Sequence, residues 1–215
     1  MSKLTKRLQV VASLVNRRHI CDVGCDHGKL AEYLLRQKLV DKVIVSDISM
    51  PSLQKAIDLL SKNEYNYEYI HCDGLVGYTD KQVEQCVISG MGGDEMIKII
   101  NNSPIEINSF ILSPQHNNID VKRFIIAHGY NIDYDIIIKD KGKFYNVFRC
   151  VKEDSIQELS EFDLHFGKEN FVDNSDCDDF VQSELIKVVE ILKNNPSNEY
   201  FNNYLKLLTE YNKRK

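Results

Sequence analysis

Two glycine-rich stretches carry most of the chemically suggestive residues, DVGCDHG over Asp22 to Gly28 and SGMGG over Ser89 to Gly93. Single acids, Asp47 and Asp73, close two further apolar runs. A glycine turn between a first strand and a helix is where doubly wound folds bring backbone close to a ligand. The spacing is not the dinucleotide fingerprint GxGxxG, because three residues separate Gly24 from Gly28, and a pyrophosphate would be repelled by Asp22 and Asp26. S-adenosylmethionine carries a sulfonium and an ammonium and no phosphate, so the same acids favour it. The expected cofactor residues are Asp22, Gly24, Cys25, Asp26, His27 and Gly28 in the loop, with Asp47 and Ile48 at the ribose. Cys72, Asp73 and Gly74 are expected around the adenine ring, and Ser89 and Gly90 at the next turn.

SGMGG reads as a bend whose amides and carbonyls stay open toward the strand ends, so that a methyl acceptor can approach along Gly90, Met91, Gly92 and Gly93. In SPQHNN, Pro114 rigidifies the exit from a later strand, and Asn117 or Asn118 is placed to bond a base edge; surface turn chemistry explains the asparagines nearly as well. Lys143 and Tyr145 can contact a phosphate and stack on a base, or simply decorate an edge strand. Lys3, Lys6, Arg7, Arg17 and Arg18 fall on one face of a first helix, beside an apolar face of Leu4, Leu8, Val11 and Val15. That face is equally well read as a solvated surface.

These residues need a frame. Strand-like runs at His19 to Cys25, Lys42 to Ile48, Tyr67 to Asp73, Gln85 to Met91 and Phe110 to Ser113 leave room for helices between them, which predicts βαβ units and a parallel sheet. A helix over Ile119 to His128 follows. Ile132 to Ile138 and Phe144 to Val151, joined by KDKGK, then predict a hairpin and an antiparallel edge. From about Lys152 the chain turns acidic; DNSDCDD reads as a linker or a helix start. Two helices end the chain, one with Phe180, Val181, Leu185, Val188, Val189 and Leu192, the other with Tyr200, Phe201, Tyr204, Leu205, Leu208 and Tyr211. They predict a small helical hairpin, packed on itself as a short coiled coil and leaning on the main domain.

At 215 residues, with 43% hydrophobic and 27% charged side chains, the chain is long enough for one substantial core and an appendage. No run is long and apolar enough for a bilayer, and the start does not read as a signal peptide, so no membrane partner and a cytoplasmic location are expected. The six cysteines are scattered and read as buried thiols; Cys21, Cys25, His71 and Cys72 match no zinc spacing, so no metal is expected. A formal charge of −5 argues mildly against nucleic acid overall, but says nothing of local charge. Oligomeric state is left open, with a monomer slightly favoured.

The order of these motifs resembles the bacterial TrmK family of tRNA (adenine-N1)-methyltransferases. The resemblance rests on RLQVVASLV, DVGCDHG for the family's D-I-G-x-D-H-x pattern, CDGL, ISGMGG, the proline-plus-asparagine exit and KFYNV, and spans roughly residues 4 to 150. It implies a Rossmann-like class I methyltransferase with a seven-stranded, mostly parallel sheet and antiparallel edge hairpin (residues 1–154), followed by a coiled-coil-like helical domain (155–215). S-adenosyl-L-methionine would be the cofactor, S-adenosyl-L-homocysteine the product, and N1 of adenine 22 in tRNA the acceptor. Cys25 stands where the family pattern has serine, and Ser113 where it has glutamine, with Gln115 able to substitute. On this reading Asp26 or Asp94 would steady the cationic product, Asp26, Asn117 and SGMGG would serve catalysis, and Arg7, Gln115, Asn118, Lys143 and Tyr145 would bind tRNA. Methylation of another RNA or a small molecule, and a non-catalytic cofactor-binding RNA module, are the alternatives.

Overall fold

The computed structural model describes residues 3–155, 157–167, 169–171 and 173–215. Strands β1 (His19–Val23), β2 (Lys42–Asp47), β3 (Tyr67–His71), β4 (Gln85–Ser89), β5 (Ser109–Ser113), β6 (Tyr130–Asp140) and β7 (Lys143–Lys152) form one sheet in the order β3-β2-β1-β4-β5-β7-β6. The first five are parallel; β7 runs antiparallel to both β5 and β6. β1, β4 and β5 are buried almost throughout, as unbroken apolar runs in a sheet covered on both faces must be.

Helices α1 (Lys6–Leu14), α2 (Lys29–Arg36) and α3 (Met50–Leu60) cover one face, packing on Ile20, Val43, Val45, Val87 and Ile111. Helices α4 (Gly93–Asn101) and α5 (Asn118–Ala127) cover the other, on Cys21, Ile44, Cys86, Ile88, Phe110 and Leu112. Alternate residues of each strand thus feed alternate cores. The sheet reverses direction of growth between β1 and β4, and the loops leaving these two strands open the crevice where open α/β sheets bind ligands. The hairpin turns at Lys141 and Gly142, both with positive φ (49° and 78°), the backbone a two-residue primed turn requires.

The first helix differs from the expected face. Val15 adopts an extended conformation, so α1 ends at Leu14 and Arg17 and Arg18 lie beyond it. Arg18 grips Asp41 (Nε to Oδ2, 2.9 Å) and the carbonyls of Lys38 and Leu39, while Lys6 is paired with Asp176. Of the five cations, Arg7 is the one that faces the crevice.

Beyond β7 the chain forms a helix missed in the sequence, α6 (Glu161–Phe166), and a 3-10 turn, Glu169–Phe171, before α7 (Ser175–Asn194) and α8 (Glu199–Arg214). A six-residue helix is too short for periodicity to reveal; its signature is the capping box of Ser160 and Asp163. The terminal helices share a core with Phe162, Phe166 and Ile137 of β6, and Phe144 of β7 packs against it. The pair therefore packs together and leans on the edge hairpin of the sheet, the arrangement the sequence predicts.

A buried polar chain joins these parts. Lys122 of α5, fully buried, donates from Nζ to Asp135 Oδ2 (2.6 Å) and to the Leu164 carbonyl (2.7 Å). Asn146 Nδ2 donates to Asp135 Oδ1 (2.6 Å), and Asn170 Nδ2 to the Asp135 carbonyl (3.0 Å). Tyr211 Oη in α8 reaches the Asn170 carbonyl (3.1 Å). Removing one member of a buried ion pair strands the other, at a cost of about 3 to 5 kcal/mol. Lys122→Ala is expected to lose stability on that scale in urea denaturation, whereas exposed Lys152→Ala should lose under about 1 kcal/mol.

Candidate active site

DVGCDHG leaves β1 and bends back on β2. The Gly24 and Cys25 amides both donate to the Ser46 carbonyl (2.9 and 3.0 Å), the Gly28 amide to the Cys25 carbonyl (2.9 Å), and the Asp26 amide to Asp47 Oδ2 (3.1 Å). These amides are consumed within the protein. A phosphate cradle needs such donors free and aimed at the ligand, so this loop offers carboxylates instead. Asp47 is further fixed by the Ser49 amide on Oδ1 (2.8 Å). Gly28 caps α2, and Cys25 is buried.

Two cavities meet at Gly24. One, of about 380 Å³, is lined by Gly24, Asp47, exposed Ile48, Cys72, Asp73, Gly74, Met91, Glu95 and Ile99. The other, smaller, is lined by Arg7, Asp22, Gly24, Cys25, Asp26, His27 and Ser89. Gly24 has φ +70°, the left-handed conformation that favours glycine, and a Cβ there would stand 2.7 Å from Met91 Cε. Burial, reinforced by the charge of Asp47, pushes Asp22 up to about 7. The buried hydroxyl of Ser89, facing Ser113 across the strand ends, has no partner among the described residues. A buried acid with no countercharge among the described residues and an orphan hydroxyl are what a cationic, hydrogen-bonding ligand would satisfy, and the larger space lies in the range of small-molecule sites. The lining fits an adenosyl sulfonium cofactor in charge and in size.

Several expected site residues are placed differently from the reading above. The Asp26 carboxylate is 70% exposed and lies 2.6 Å from His27 Nδ1, while its amide is held by Asp47. The Asp73 carboxylate faces Lys98 at 3.7 Å. Part of the SGMGG backbone is committed within the protein. The Gly90 amide donates to the Ser113 carbonyl (3.2 Å), Met91 accepts from the Gln115 amide (2.9 Å) and the Gly93 amide donates to the His116 carbonyl (3.1 Å). Gln115 Nε2 takes the Gly90 carbonyl (2.5 Å). The glycines serve close packing: a Cβ on Gly92 would fall 2.7 Å from the His116 ring. Asn117 is not directed at an open base site either, since its Nδ2 bridges both oxygens of Asp94 (3.1 and 3.0 Å).

A third cavity, of about 170 Å³, lies between Gln115, His116 and Asn118 on one side and Phe144, Tyr145, Asn146 and Phe180 on the other. Arg7, which lines the smaller of the first two, lies beside it, its guanidinium 4.9 Å from the Tyr145 ring centroid and against Gly90. Lys143 is exposed at the hairpin turn and is not among the residues lining that cavity. Glu95, Ile99, His116 and Asn146 line these spaces without having been expected. Asn146 carries a signal in retrospect, a lone polar residue on the strand face shared with Phe144, Phe148 and Cys150. All six cysteines are free, five of them buried, and His71 Nε2 donates to the Ile48 carbonyl. Among the described residues there is no group of three or more metal-ligating side chains and no helix long and apolar enough to cross a membrane.

The strand order, the switch-point crevice and an acid-bearing glycine loop with satisfied amides define the class: a Rossmann-like methyltransferase domain. Residues 4–148 match the family described as "Methyltransferase domain". The chain is 30% identical over 178 residues to a putative tRNA methyltransferase of Mycoplasma pneumoniae, covering 79% of this chain and 83% of that one. It is 25% identical over 151 residues to the tRNA (adenine(22)-N(1))-methyltransferase of Bacillus subtilis, 67% of this chain and 63% of the relative. Among solved structures, M. capricolum TrmK with S-adenosyl-homocysteine superimposes with a TM-score of 0.89 at 24% identity, over 99% of both chains. The chain belongs to the methyltransferase-domain family and, within it, to the family of the M. pneumoniae putative tRNA methyltransferase.

Because burial raises Asp22, its neutral form favours folding, and that contribution is lost as pH climbs from about 4 through about 7. Asp22→Asn is expected to be more stable than the parent above pH 7, by about 2 to 4 kcal/mol, with the difference closing toward pH 4; parallel urea titrations at pH 4.5 and 8 check this.

Proposed function

We propose that the chain transfers a methyl group from S-adenosylmethionine to N1 of adenine 22 in tRNA. The observation that carries the cofactor half of this reading is the loop after β1, whose amides are spent on Ser46, Asp47 and Cys25 while the buried Asp22 lacks a cation. The acceptor half is supported by the B. subtilis relative named for that reaction and by the cavity that Arg7 and Gln115 join to the cofactor space.

The cofactor supplies an electrophilic methyl on a positively charged sulfur: the adenine N1 lone pair forms the new C–N bond, the C–S pair stays with sulfur, and the positive charge passes to the base. No proton leaves in that step, so the chain's residues have positioning work rather than proton transfer to perform. Asp47 and Ile48 line the ribose end of the larger cavity, Asp73 and Gly74 its far wall, and Asp22 and Ser89 the cationic tail. Cys25, His27 and Gly28 shape the loop. Gly90 to Gly93, locked to β5's exit, form the floor between cofactor and base, and Asn117 with Asp94 holds that floor to α5. Arg7, Gln115, Asn118 and Tyr145 receive the extruded base. Lys143 contacts backbone phosphate from the rim, beside α1, whose Arg7 amide donates to Asp140 (3.2 Å) at the same turn. Residues 1–154 form the catalytic unit and 155–215 a helical unit that flanks the tRNA.

Incubating the protein with methyl-labelled cofactor and unmodified tRNA transcript should place label in tRNA, with a reverse-transcription stop at position 22 that disappears when adenine 22 is replaced by guanine. Label in tRNA at another position would overturn the acceptor, and tight cofactor binding with no transfer would favour the non-catalytic reading. Lys143→Glu is expected to raise KM for tRNA about five- to tenfold and to flatten its salt dependence by about one contact, without changing the Kd for S-adenosylhomocysteine; an unchanged KM removes Lys143 from the interface.

A further inference from the structure

The third cavity contains a side chain whose hydrogen bonding is incomplete. Asn146 is only 7% exposed and lines the space with Pro114, Gln115, Tyr145 and Phe180. Its Nδ2 donates to Asp135 Oδ1 (2.6 Å) and to the Ile136 carbonyl (3.2 Å). Two acceptors facing one end of the amide settle which end is nitrogen. Asp135 is itself held by Lys122 (2.6 Å), so the amide cannot turn over without confronting a carboxylate with its own oxygen. Oδ1 is left buried and unpartnered among the described residues, on a side chain in the wall of that cavity, and a buried orphan acceptor costs free energy until a donor arrives.

We infer that Asn146 Oδ1 reads the exocyclic amine of the target adenine, and so sets the enzyme's choice of base. This rests on the proposed acceptor. Methylating N1 requires the Watson–Crick edge to face the cofactor space, which Gln115 borders through Gly90, and the 6-amino group is the donor next to N1 on that edge. Guanine and hypoxanthine present a carbonyl oxygen there, which Oδ1 repels. The amine also gains positive character as N1 becomes alkylated, so the contact strengthens along the reaction. The Lys122–Asp135 pair is then a positioning device, acting through the Asn146 amide.

The test compares tRNA transcripts carrying adenine or unsubstituted purine at position 22, with wild-type enzyme, Asn146→Ala and Asn146→Ser, following kcat/KM. Wild-type should lose about 10- to 100-fold more on removal of the amine than either variant, because both variants lack the carboxamide oxygen, the serine hydroxyl being too short to take its place, and retain only purine's lower intrinsic reactivity. Unchanged S-adenosylhomocysteine affinity shows that the variants are folded. Equal amine penalties in all three enzymes would overturn the assignment to Asn146 and leave the acceptor reading intact. Failure of wild-type enzyme to methylate adenine 22 at all would overturn both.

Discussion

The ion pair between Lys122 and Asp135 is the constraint on which the rest of the arrangement depends. Lys122 is fully buried and Asp135 nearly so, so each is satisfied by protein, and the satisfying groups come from elements distant in sequence: Leu164 of α6, Asn146 of β7 and, through the Asp135 backbone, Asn170 of the 3-10 turn. Such a pair contributes little stability over an apolar replacement. What it contributes is register. The edge hairpin, the end of α5 and the root of the terminal helices can be assembled in one way, because any slip leaves a bare charge in the core. The wall of the third cavity, including Tyr145 and Asn146, is built on that assembly.

A second economy of polar groups governs the cofactor end. Phosphate-binding loops on related sheets leave their amides free; here they are closed on Ser46, Asp47 and Cys25, so the negative side chains of the loop set the local field. Asp22 is buried beside Asp47 and has lost part of its acidity in consequence. A buried carboxylate beside a second acid favours a positively charged ligand over a neutral one.

The glycines of SGMGG connect the two ends. They bring the β4 and β5 exits into contact, His116 lying over Gly92 and Gln115 bonding Gly90. The spaces on the two sides of Gly90 to Gly93 therefore share a wall of backbone whose position is determined by hydrogen bonds, and a change at His116 or Gln115 would be felt on both sides.

Much of this was legible in the residues alone. Seven strands, their alternation with helices, the antiparallel hairpin and the chemistry of DVGCDHG follow from period, turn composition and charge, all of which are local. The end of α1 at Leu14, the committed backbone of SGMGG, the exposure of Asp26 and the docking of the C-terminal helices on Ile137 and Phe144 did not. Each depends on which group from a remote segment occupies a given hydrogen bond or void, and sequence spacing carries no information about that. Asn146 is the clearest case: in KFYNV it is one polar residue in a strand, and only the packing of Asp135, Ile136 and Lys122 around its nitrogen decides that its oxygen is left for a ligand.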